Sequence, residues 1–387
     1  MPVLNRAAAM ADEVAEWRRD LHRHPELLYD VHRTASVVSD RLRAFGCDEV
    51  VTGIGRTGVV GLVRGSRGAG DTVGLRADMD ALPITEASGK PWASQSPGLM
   101  HACGHDGHTA MLLGAAKYLC DTRNFAGSVA LIFQPAEEGG AGAKAMVDDG
   151  LMERFAIARV FGMHNAPGVP IGTFAIAPGP ILASADRFKV EIEGVGGHAA
   201  RPHVCVDPIV AGAQIVGALQ VIASRNADPL DALVVSVTQF HAGSANNIIP
   251  QTAQLTGTIR ALTPETRALA KVRFHEIVEG VARLNQARAT IHFEDGYPVT
   301  INHEDETRRA VAAARDVAGA ERVAPNTKPD MGAEDFAYML EARPGAFIFI
   351  GNGDSAGLHH PAYDFNDEAI PHGVSYWARL AESVLAG

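Results

Sequence analysis

Apolar residues recur at helical spacing over residues 7–23, where Pro25 in "HRHPEL" ends the pattern, and again through "RTASVVSDRLRAFG", which stops at Gly46. Two amphipathic helices are predicted. Beyond them, short apolar runs punctuated by glycine, "TGVVGLVRG", "TVGLRADMDALP" and "SVALIFQPAEEGG", alternate with helical patterns over 109–120 and 141–150. Strands that alternate with helices predict an α/β layer with a mixed, mostly parallel sheet flanked by helices. Polar residues bunch at the C-terminal ends of these apparent strands, where open α/β sheets place their ligands.

The texture changes from about Ala185. Strand "DRFKVEIEGV", helix "DPIVAGAQIVGALQVIASR", strands "ALVVSVTQFHAG" and "AQLTGTIRAL", helix "TPETRALAKVRFHEIVEGVARL" and strand "ATIHFEDGY" follow in order. A βαββαβ succession is a complete ferredoxin-like unit, read here as a domain inserted into the first one. After about Thr300 the α/β texture resumes, with "AFIFIGNG" as a buried strand and a final amphipathic helix. The predicted organisation is one domain from 1–184 and 296–387 and an inserted domain at 185–295.

Composition adds constraints. A chain of 387 residues suggests two or three domains with ample core. With 47% hydrophobic and 20% charged residues it is near the globular average, and no run approaches the roughly 18 apolar residues of a membrane span. The N-terminus lacks a basic start followed by an apolar stretch, so a cytoplasmic location is expected. Cys47, Cys103, Cys120 and Cys205 show no paired spacing, which suits a reducing compartment. A formal net charge of -11, without a Lys/Arg cluster, argues against nucleic acid and acidic membranes as partners.

Candidate chemistry concentrates in "RADMDALP", "HACGHDGH", "QPAEEGG" and "FGMHNAPG", all at apparent strand ends, and in "GLHHPAYDFND" after a fifth strand. Imidazole, carboxylate and thiolate are the ligands of zinc, manganese, cobalt and nickel, so their convergence points to a metal site. Each segment alone has a plainer reading: Cys103 as a small buried hydrophobe, Glu137 and Glu138 as a solvated turn, His164 as a core histidine. Their joint placement favours the metal.

The motifs "LHRHPEL", "LRADMDALPI", "MHACGHDGH", "FQPAEEGGAGAKAMVDDG", "GMHN", "GVGGHAARPH", "NIIP", "GTIR", "MGAEDFA" and "LHHPAYDFND" cover the chain from about Trp17 onward. In this order the sequence resembles the dinuclear metal-dependent amidohydrolases typified by hippurate hydrolase, bacterial N-acyl-amino-acid amidohydrolases and plant auxin-conjugate hydrolases. The resemblance implies a catalytic domain plus an inserted lid and dimerisation domain, hence a homodimer or dimer-based tetramer. It implies two divalent transition-metal ions per subunit (Mn, Zn, Co or Ni), held by Cys103, His105, Glu138, His164 and His359. Where much of the superfamily has a bridging aspartate, this chain has Cys103, and the superfamily's His-x-Asp is Asp78-Met79-Asp80 here. His105 then supplies the lost imidazole and Asp80 orients and tunes a ligand. His359 fits the motif and the adjacent His360 falls on its variable position.

The same resemblance makes Glu137 the general base, taking a proton from metal-activated water and delivering it to the leaving amine. His198 matches a histidine that reaches the partner subunit's site, and Asn247 and Arg260 match residues that hold the substrate's carboxylate or the oxyanion. His101, Asp106 and His108 are read either as supports of the ligands or as helix caps. Glu334 and Asp335 are expected to start a helix near the site, and His22 and His24 to fix the first helix.

The function expected is hydrolysis of the amide bond in benzoyl- or acetyl-type N-acyl L-amino acids. Deacetylation of N-acetyl-diaminopimelate and dipeptide hydrolysis are alternatives within the class. A metal-free hydrolase with Cys103 as nucleophile and a non-catalytic metal-binding protein are the readings outside it.

Overall fold

Residues 4–386 are described by a computed structural model. The chain divides into two units. Leu182–Thr300 with Pro329–Glu334 form one, and the remainder of the described chain forms the other.

The larger unit is built on an eight-stranded sheet in the order Glu49–Ile54, Gly58–Arg64, Ser128–Gln134, Thr72–Asp78, Ile157–Ala166, Gly345–Gly351, Phe174–Ala175, Val323–Ala324. Its centre is parallel: Thr72–Asp78 pairs in parallel with both neighbours, and Gly345–Gly351 with Ile157–Ala166. The edge hairpin, Glu49–Ile54 with Gly58–Arg64, is antiparallel. Central strands buried on both faces read as unbroken apolar runs, as in "SVALIF" and "GAFIFI".

The helices follow the apolar spacing with instructive departures. The first predicted helix is two, Asn5–Ala9 and Ala11–Arg23, which meet at Met10, whose amide is shared between the Arg6 and Ala7 carbonyls. The next, His32–Phe45, buries Thr34, Val38 and Leu42 at four-residue spacing, and Val38 and Leu42 contribute about 2 kcal/mol each by burial. It stops at Gly46 in the left-handed region, as predicted. The pattern at 109–120 belongs to a longer helix, His105–Thr122, whose extra first turn is polar yet buried. An apolar period cannot mark such a start. Irregular chain, not a strand, precedes it, so "HACGHDGH" departs from the expected placement at a strand end.

Buried charge fastens the first helices to this one. Arg18 donates to Asp367, and the His22 ring sits between Asp106 at 2.8 Å and Glu86 at 3.3 Å. Burial disfavours the imidazolium, but Asp106 and the two hydrogen bonds outweigh it and push His22 up to about 9. His24 turns back onto the Asp20 carbonyl.

The second unit carries a four-stranded antiparallel sheet in the order Leu233–Ala242, Thr252–Ala261, Ala185–Glu193, Arg288–Tyr297. Helices Pro208–Val221 and Pro264–Leu284 complete the ferredoxin-like succession, capped by Asp207 and Thr263 with proline at the first helical position. Phe188, Val190 and Ile192, every second residue of their strand, pack against Ile215, Leu219, Phe274 and Val278 of the helices. The segment Pro208–Asn226 has a mean hydropathy of 1.2 and is long and apolar enough to cross a membrane by length and composition, a run the sequence reading does not anticipate. One of its faces is committed to the sheet.

His22 generates a prediction. Its folded pKa lies above the unfolded value, so its stabilisation, about 3 kcal/mol, is complete below about pH 6.5 and is lost as pH rises through about 9. In urea titrations the native chain should lose more stability than His22→Gln between neutral pH and pH 9.5. A difference independent of pH would refute this role.

Candidate metal centre

Five chain segments deliver donors to one largely buried place in the larger unit. The strand Thr72–Asp78 ends in Asp78 and runs on to Asp80; the turn after Ser128–Gln134 carries Glu137 and Glu138; Ile157–Ala166 carries His164; and Cys103 and His105 enter the His105–Thr122 helix. His359 comes from the loop after Gly345–Gly351.

The donor atoms of Cys103, His105 and His164 lie within 4.8 Å of one another, and so do those of Cys103, Glu138 and His359. Cys103 belongs to both groups. Its Sγ is 3.4 Å from His164 Nε2, while Glu138 Oε1 lies 3.3 Å from His359 Nε2 and 3.9 Å from His105 Nε2. Glu137 Oε2 is also 3.9 Å from His105 Nε2. His360 turns away, its Nδ1 accepting from the Ala362 amide.

Hydrogen bonds set which ring nitrogens face inward. His105 Nδ1 donates to the Asp80 carbonyl at 2.8 Å and His164 Nδ1 to its neighbour's carbonyl at 2.7 Å, so each presents Nε2 to the cluster. His108 is a near neighbour with a different job: Nδ1 donates to Asp78 and Nε2 accepts from the Asn165 amide, which occupies both nitrogens. It supports the site rather than capping the helix, and Asp106, taken by His22, does not cap it either. Asn165 bonds the Cys103 carbonyl and receives the Tyr363 hydroxyl, a pair of supports that sequence alone does not mark beyond their places in "GMHN" and "HHPAYD". Gly104 has φ of 90°, and a methyl there would meet Asn165 Nδ2 at 2.2 Å.

Asp80 grips the tandem glutamates: its two carboxylate oxygens accept the amides of Glu137 at 2.9 Å and Glu138 at 3.1 Å. The turn is further held at Ala143, whose amide donates to Asp335. Asp335 also accepts from Arg76 and Gln134. This corrects the expectation that it starts a helix; the helix is Ala337–Ala342, and the Asp335 carboxylate points instead into the buried network.

The electrostatics favour a cation. Burial resists charging His105, but Asp78, Asp80 and Glu138 outweigh it and push the ring up to about 10. Burial and the surrounding carboxylates drive the Cys103 thiol well above its ordinary range, and burial drives His164 well below its own. His105 Nε2 is buried without a hydrogen-bond partner. Soft and borderline donors around an orphaned imidazole nitrogen, amid surplus negative charge, fit divalent transition metals, which would replace the proton on His105 and deprotonate Cys103.

His198, Asn247 and Arg260 lie in the second unit. The Ala199 amide donates to the Asn247 carbonyl, which joins the His198 strand to its partner, and His198 Nδ1 accepts from the Ala200 amide. The Arg260 guanidinium donates to the Met331 carbonyl.

Among curated proteins the chain is 42% identical to a hippurate hydrolase of Campylobacter jejuni over 95% of its own length and 96% of the relative's. It is 41% identical to an N-acetyl-L-cysteine deacetylase of Bacillus subtilis, over 91% and 83%. Two solved structures superpose on nearly the whole chain. A Staphylococcus aureus protein described as a putative aminohydrolase has a TM-score of 0.91 at 32% identity, with 98% of both chains covered. A Bacillus subtilis protein described as a dinuclear metal binding peptidase from the M20 family has a TM-score of 0.86 at 35% identity, with 98% and 99% covered. Residues 74–383 match Peptidase family M20/M25/M40: the chain, with its buried donor cluster, belongs to that family and is a metal-dependent amidohydrolase.

Proposed function

We propose that this chain hydrolyses the amide bond of N-acyl L-amino acids of benzoyl or acetyl type, with Glu137 as general base. The observation that carries the reading is Cys103 shared between two donor groups with Glu137 beside them. Cys103, His105, Glu138, His164 and His359 would hold two divalent ions. When bound, such ions supply Lewis acidity, lowering the pKa of water and offsetting charge on the carbonyl oxygen.

The chain's own residues do the rest. Asp80 holds the Glu137 backbone, so the carboxylate is positioned before substrate arrives. Glu137 accepts the proton of the attacking water and passes it to the departing amine nitrogen. Asn247 and Arg260 are assigned to the substrate's carboxylate, for which a guanidinium is suited, or to the oxyanion, and His198 to the partner subunit's site. The acyl class is taken from the relatives named for hippurate and N-acetyl-L-cysteine. Relatives named thermostable carboxypeptidase, at 39% identity, keep peptide hydrolysis as the second reading. Assembly as a homodimer belongs to the same proposal, and a monomer mass by light scattering at micromolar concentration would remove it.

Cys103 is poorly made for a metal-free nucleophile. Its thiol is pushed up by burial and by nearby carboxylates, and the adjacent His164 is a weak base for the reason already given.

The deciding assay is release of glycine from N-benzoylglycine, beside an N-acetyl amino acid and dipeptide panel, by chelated protein and by protein reconstituted with Mn, Co, Ni or Zn. Turnover abolished by chelator and restored by metal is expected; turnover indifferent to chelator would revive the Cys103 nucleophile. Glu137→Gln should lower kcat by about 100-fold to 10,000-fold while metal content is unchanged. Asp80→Ala should loosen metal by about 10-fold to 100-fold in competition with a chelator, and undiminished retention would show that its clamp does not govern the ligands.

A further inference from the structure

Cys47 and Cys120 are 73 positions apart in sequence, yet their sulfurs lie 3.6 Å from each other. Cys47 directly follows the Gly46 cap of the His32–Phe45 helix, and Cys120 lies in the closing turn of His105–Thr122. Both are free thiols in the larger unit, Cys120 buried and Cys47 half-buried. Among the described residues, Cys103 and Cys205 have no second thiol beside them.

We propose that Cys47 and Cys120 form a redox site: a peroxide closes them to a disulfide that ties the ends of the two helices together, and a dithiol reopens it.

Placement favours closure. A disulfide needs sulfurs about 2.05 Å apart, and these two are already in van der Waals contact. Arg123 ties the two segments together: Nη2 donates to the Gly46 carbonyl at 2.8 Å, Nη1 to the Asp48 carboxylate at 2.7 Å, and Nε to the Cys120 carbonyl at 3.2 Å. The pair is also primed to lose its first proton. The hydrogen bond from the Cys47 thiol, helped by the Arg123 guanidinium, outweighs burial and holds the Cys120 thiol below its ordinary value.

The chemistry balances with one peroxide. A thiolate attacks a peroxide oxygen; an S–O bond forms, the O–O bond breaks, and the departing hydroxide takes a proton to become water. The second sulfur then attacks the sulfenic sulfur; the S–S bond forms, the S–O bond breaks, and a second water leaves. Two thiols lose two electrons and two protons, and the peroxide is reduced to two waters. Because the loop closed is long, the bond would restrict the unfolded chain strongly.

The test uses the reduced full-length protein, treated with a few equivalents of hydrogen peroxide, alkylated, and analysed by intact mass and peptide mapping. A loss of two hydrogens, a linked Cys47–Cys120 peptide cleaved by dithiothreitol, and no link in Cys47→Ser or Cys120→Ser are expected. The oxidised native chain should melt roughly 5 to 10 °C above the reduced one, with no such rise in either variant. If both thiols remain alkylatable while Cys205 is oxidised, or if each gains oxygen without linking, the proposal is overturned. Amide hydrolysis by Cys47→Ser should match the native chain, so this outcome is separable from the proposed catalytic function.

Discussion

Asp78, Asp80, Glu137 and Glu138 crowd around one imidazole in the interior of the larger unit, and that concentration of negative charge is the constraint everything nearby answers to. Carboxylates out of water are costly unless each has partners. Asp78 takes Arg76 and His108, and Asp80 takes two backbone amides and stands beside the ring it orients. Glu138 stands beside His105 and His359, and Cys103 beside His164, in a cluster whose natural complement is positive charge. The pull on His105 toward an imidazolium expresses the same demand.

The fold makes this crowding affordable. A parallel core brings the ends of Thr72–Asp78, Ser128–Gln134, Ile157–Ala166 and Gly345–Gly351 to one edge, so residues far apart in sequence share a few ångströms. The buried network of Arg76, Gln134 and Asp335 braces that edge from beneath. The helix bearing His105 is clamped at its first turn by His22 and Arg18, through Asp106. Rigid supports of this sort keep ligands within the narrow tolerance a metal requires.

Much of this is legible in the sequence alone. The run "DRFKVEIEGV" reads as the first strand of the inserted domain, and its Phe188, Val190 and Ile192 do face the helices. Pro25 and Gly46 marked helix ends because their backbone preferences act locally. The donor residues were visible as types and motifs. The start of the His105–Thr122 helix was not, since a buried polar first turn leaves no apolar period to follow. Nor could spacing show that Asp335 looks into the interior or that Cys47 meets Cys120.

The sequence by itself determined the order of strands and helices, the ferredoxin-like succession after Ala185, and the chemical identity of the candidate donors. These follow from short-range periodicity, turn chemistry and residue type, all written along the chain. Tertiary structure alone decided that His108 spends both nitrogens on support while His105 turns one inward, and which two of the four cysteines are neighbours. Each depends on where a side chain points after distant segments have packed, and no local pattern encodes that direction.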